Sequence, residues 1–98
     1  RTAADKFLDL IRAGQAGGAW DSTTAEFKSF EGRESFVKNV KKHPELSKPI
    51  PFVSVQSVTV QDSPRAEYLY RTSDGKTTVR LLAGQERSEW RIDRMTID

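Results

Sequence analysis

A chain of 98 residues, 36% hydrophobic and 31% charged, holds apolar material for one thin core and too much for a disordered chain. Its 16 basic and 14 acidic residues leave a net charge of +2 and are interspersed, nine against seven over residues 1–48 and seven against seven over 49–98, which excludes the dense basic footprint of a nucleic-acid binder. With no cysteine and one histidine, disulfide, thiolate and multi-histidine metal chemistry are excluded and no cofactor is expected. No run reaches the ~18 apolar residues of a transmembrane segment.

Thr2 caps a first helix in which Ala3, Ala4, Phe7, Leu8, Leu10 and Ile11 share one side and Asp5 favours the positive end of the dipole. The glycine-rich stretch Gly14 to Gly18 ends it. Ala19 to Phe27 reads as a short second helix with Asp21 or Ser22 as cap. A third runs from about Arg33 to Lys42, apolar at Phe36, Val37 and Val40, and His43-Pro44 closes it because the residue before proline is pushed out of the helical region. Pro49 and Pro51 carry an extended linker.

From there the period changes to two. Residues 53–61, 65–72, 77–83 and 88–97 read as four proline-free strands of an antiparallel meander. The expected turns are Asp62-Ser63-Pro64, Ser73 to Lys76 around the hairpin dipeptide Asp74-Gly75, and Gly84-Gln85-Glu86. Two strands lose phase. A bulge near Asp93-Arg94 would keep Trp90 and Ile92 on the same face as Met95 and Ile97, and a second would bury Val53 and Val55 together with Val58 and Val60. The expected fold is therefore α+β over residues 1–98, helices at about 2–43 laid on a curved four-stranded sheet at about 52–97.

The glycine-punctuated first helix, the helix carrying Ala19-Trp20-Asp21, the helix start Gly32-Arg33-Glu34 and curved hairpins ending in Trp90-Arg91-Ile92 together resemble the nuclear transport factor 2-like superfamily, its bacterial SnoaL-like and cystatin-like members above all. That resemblance implies a cone whose helices cover the concave face of a bent sheet, often with a pocket at its mouth. Enzymes, ligand binders, adaptors and tethered extracytoplasmic domains all use this cone.

The residues offer little chemistry. Enzymes of this resemblance place an acid and a tyrosine inside the cone, and Tyr68 with Asp93 is the pair this chain can assemble. Against it stands the reading in which Tyr68 closes the core and Asp93 pairs with Arg91, Arg94 or a neighbouring strand. His43 sits at a helix end among lysines, and Lys38, Lys41, Lys42 and Lys48 read as a solvated face rather than a patch for anionic lipid. Gly14, Gly17 and Gly18 follow a helix and lack a Walker lysine, so they form no phosphate loop.

Trp20, Phe27, Phe36, Tyr68, Tyr70 and Trp90 are the expected core or pocket, and Trp90→Ala is expected to cost ~3–5 kcal/mol. On the opposite sheet face Leu69 and Leu82, ringed by Arg71, Arg80 and Arg91, are the expected interface of a homodimer, a use the resemblance also implies. These features point to a noncatalytic binding or assembly module, without hydrolytic, metal-dependent or redox activity. The alternative is a binder of a small apolar ligand, or an acid-base enzyme of isomerase or dehydratase type. The chain begins at Arg1 without methionine, as expected of a piece trimmed or processed from a longer exported or anchored protein.

Overall fold

Apolar spacing on the helices and alternation on the strands give two layers in the computed structural model, which describes residues 2–98. The helices are α1 (Thr2–Arg12), α2 (Ala16–Asp21), α3 (Ala25–Phe30) and α4 (Arg33–Lys41), followed by a 3₁₀ turn at Pro44–Ser47. Strands β1 (Phe52–Val60), β2 (Ser63–Arg71), β3 (Thr78–Glu86) and β4 (Glu89–Ile97) pair antiparallel in the order β1-β2-β3-β4. The α+β class and the meander agree with the sequence.

Glycine acts differently from expectation within the helices. Gly14, at φ 80°, ends α1 by itself, with the Gln15 N–H donating to the Leu10 carbonyl and the Gly14 N–H to the Ile11 carbonyl. Gly17 and Gly18 lie inside α2, where the Arg33 guanidinium passes so close to Gly17 that a Cβ there would sit 2.4 Å from it. The expected single helix over 19–27 is two. The hydroxyls of Ser22 and Thr23 donate back to the carbonyls of Ala19 and Trp20, and Thr24, not Asp21 or Ser22, caps α3 by accepting from the Phe27 N–H. The segment after Pro44 is not wholly extended, because the 3₁₀ turn drives Leu46 to 2% exposure in the core.

Two of the three expected turns move. The β1–β2 hairpin turns on Gln61-Asp62 and the β3–β4 hairpin on Arg87-Ser88, all four at φ between 50° and 68°. Two consecutive left-handed residues form the tight turn whose twist suits a hairpin, and it usually advertises itself with Asn-Gly or Asp-Gly. These two lack that signal. Pro64 therefore lies in β2, opposite Thr59, and Gly84 inside β3, two residues before its end. The Asp74-Gly75 turn is where it was expected, with the Asp74 carboxylate accepting from the Lys76 N–H and the Thr72 hydroxyl.

The core is an aromatic triad under the sheet. Phe7, Phe27 and Phe36 meet with ring centroids 5.5 to 6.3 Å apart and cover Val79, Leu81, Ala83 and Ile92. One register irregularity, between Leu82 and Ala83 opposite Ile92 and Arg94, makes Asp93 the extra residue of a bulge. It returns Met95 and Ile97 to the face of Ile92, as the phase of the sequence demands. The irregularity in β1 falls instead at Val53, and Val53, Val55 and Val60 are exposed. Only Phe52, against Tyr70, reaches the core from this strand, and Val58 is half-buried.

Candidate functional site

Alternation places Ala66, Tyr68 and Tyr70 of β2 on the helix-facing side of the sheet and Glu67, Leu69 and Arg71 on the other. Tyr70 is buried and Tyr68 half-buried. Trp20, half-buried at the rim of the core, donates its indole N–H to the Glu31 carbonyl at 2.8 Å. Trp90 departs from expectation: it faces Gln85 beside the turn of the last hairpin and is 43% exposed. Its register is that of the core face, but the hairpin carries it past the triad to the mouth of a shallow cleft beside Ala3, Lys6 and Ser22.

Tyr68 and Asp93 do not converge. Tyr68 sits between Val55 and Leu81 on the helix-facing side. Asp93, with its side chain 5% exposed, accepts from the Thr24 hydroxyl and at 2.8 Å from Arg65 Nε. Arg65 comes from β2 and reaches the bulge by lying across β3 at Gly84, where a Cβ would meet its Cδ and Nε at 2.9 Å. The pairing expected with Arg91, Arg94 or a neighbouring strand is therefore made with Arg65, two strands away. A glycine between Ala83 and Gln85 marks such a close approach in a strand, the one sign of this network the sequence carried. The same junction fixes α3 to the sheet, since the Thr24 N–H donates to the Ile92 carbonyl and the Glu86 carboxylate accepts from the Ala25 N–H.

The clefts are shallow. One lies between α1 and the start of β1, about 200 Å³ in volume, with Asp5, Lys48, Phe52 and Tyr70 in its wall. The Tyr70 hydroxyl donates to Asp5 at 2.6 Å, a pairing sequence reasoning missed because 65 residues separate the partners. Lys48 thus belongs to this cleft, while Lys38 and Lys42 line a solvated groove with Glu31 and Glu34. On the outer face Leu69 and Leu82 are half-buried, facing Arg80 and Glu67 respectively across the strands, and Arg71 is exposed. Among the described residues no three acidic or histidine side chains converge as a metal-binding group, and no helix is long and apolar enough to cross a membrane.

His43 belongs to a small polar junction. Its Nδ1 lies 3.3 Å from the Glu45 carboxylate, which also accepts from the Thr77 hydroxyl at 2.9 Å and so ties the 3₁₀ turn to the β2–β3 turn. The Glu45 carboxyl is held below its ordinary value of 4.5, first by its own backbone N–H, then by Thr77 and His43. A depressed carboxyl contributes stability that is present above the unfolded value and lost as pH falls through the folded one. Wild type is therefore expected to melt above Glu45→Gln at neutral pH, with the gap closing below pH 4.5. Thermal melts of both proteins across that range test it, and a gap independent of pH would remove the charge from the explanation.

No family model matches the chain, and no curated protein matches it. What the structure defines is a class by architecture: an α+β protein with four short helices on one face of a four-stranded antiparallel sheet.

Proposed function

We propose that this chain is a noncatalytic binding or assembly module built on a nuclear transport factor 2-like cone, working through its surface rather than through a chamber. The observation that carries the reading is the filled space beneath the sheet, where Phe7 and Phe36 are 1% and 0% exposed against Leu81 at 0%. A ligand-binding or catalytic cone needs that space, with an ionisable group at its base. Asp93, the acid nearest in sequence to that task, is engaged by Arg65 and Thr24 at the bulge. Helices preceding a meander, with a glycine-ended first helix, support the family reading.

The test is titration with small apolar and aromatic carboxylate ligands followed by methyl NMR. The expected result is that the methyls of Val79, Leu81 and Ile92 keep their positions. Saturable shifts at those methyls would overturn the proposal and restore the ligand-binding or acid-base alternative.

A further inference from the structure

The two edges of the sheet are treated in opposite ways. The free edge of β4 is blunted by three devices: the cap of α3 bonds to it at Ile92, Asp93 bulges from it, and Arg91, Arg94 and Asp98 charge it. The free edge of β1 has one, the bulge at Val53 beside its first residue. Among the described residues, no backbone group of residues 53–60 bonds to any element other than β2. Residues 49–61 contain no charged side chain, in a chain where 30 of 98 residues are charged. Val53, Val55 and Val60 stand 45%, 51% and 40% exposed on it. From Ser54 to Val60 this uncovered, uncharged, β-branched edge runs in unbroken register and is a template for another strand.

We infer that β1 is a self-association edge, at which a second copy of this chain pairs antiparallel to form a continuous eight-stranded sheet. The occupant follows from symmetry and charge. A two-fold axis normal to the sheet makes neighbouring β1 strands antiparallel and keeps the helices of both copies on one side. Every residue then faces a residue of the same uncharged segment, so no register creates a like-charge pair. Cross-strand pairs of valine and threonine are among the favourable ones. Pairing through β4 would have to displace the cap of α3 from the Ile92 carbonyl and bring two charged strands together. Because the edge carries no charge, the association is insensitive to salt, unlike one through Leu69 and Leu82 with their ring of arginines.

Sedimentation velocity from micromolar to millimolar protein, at low and high salt, tests the inference on wild type, Val55→Lys and Leu82→Glu. Wild type is expected to approach twice 11.1 kDa with little change on adding salt, Leu82→Glu to follow it, and Val55→Lys to stay at 11.1 kDa with an unchanged melting temperature. Hydrogen exchange on wild type serves as a second measurement that needs no variant: amides within 53–60 gain protection as concentration rises. A wild-type mass of 11.1 kDa at every concentration overturns the inference, whatever else binds the edge. A dimer split by Leu82→Glu and spared by Val55→Lys also overturns it, placing the interface on the outer face. Neither result bears on whether the interior binds a ligand.

Discussion

Phe36→Ala is expected to lower stability by about 4 kcal/mol, the cost of deleting a large aromatic from a packed core. The ring is fully buried, with centroids 5.9 Å from Phe7 and 5.5 Å from Phe27, so its removal opens a cavity against two partners that cannot both collapse into it. Total stabilities near 5–15 kcal/mol make that a large fraction for so small a domain. Urea denaturation measures it, and the cycle with Phe7→Ala is expected to be nonadditive because the rings touch. Trp90→Ala supplies the contrast at about 1 kcal/mol, the share of an aromatic that keeps much of its surface in water. If Trp90→Ala cost as much as Phe36→Ala, the hairpin end would have to be covered in solution.

Asp93→Ala is the second large effect, about 3 kcal/mol, because it strands the half-enclosed Arg65 and removes the acceptor of the buried Thr24 hydroxyl. Asp93→Asn is milder, since an amide oxygen still accepts from Thr24. Thr24 also caps α3 and its N–H holds the β4 edge, so the loss spreads beyond one ion pair. Denaturation midpoints of Asp93→Ala, Arg65→Met and the double variant should show coupling above 0.5 kcal/mol. Additive effects would mean that the two side chains act independently, and an Asp93→Ala midpoint equal to wild type would free Asp93 for a chemical role.

What the sequence determined by itself is whatever depends on neighbours along the chain. The 3.6-residue spacing of Phe7 and Ile11, the change to alternation after Pro51, the Asp74-Gly75 turn and the phase slip between Ile92 and Met95 each act within a few residues, so they were legible without coordinates. The helix break at Thr24 is local too, but Asp21 and Ser22 offer the same capping preference, so the sequence does not choose among them. The turns at Gln61-Asp62 and Arg87-Ser88 use residues without the glycine or asparagine signal of a tight hairpin; there the surrounding sheet overrides propensity.

Tertiary structure alone decided the rest. Trp90 and Phe36 look equally apolar in sequence, and only helix placement makes one a rim residue and the other core. The bond between Asp93 and Arg65 exists because a bulge, a glycine and a cap from three elements meet, and the pairing of Tyr70 with Asp5 because the sheet brings the end of β2 to the first turns of α1. The valines of β1 alternate within each half of the strand, as in a half-buried one. Their exposure follows from strand order, which leaves β1 at the edge and the helices over its neighbours.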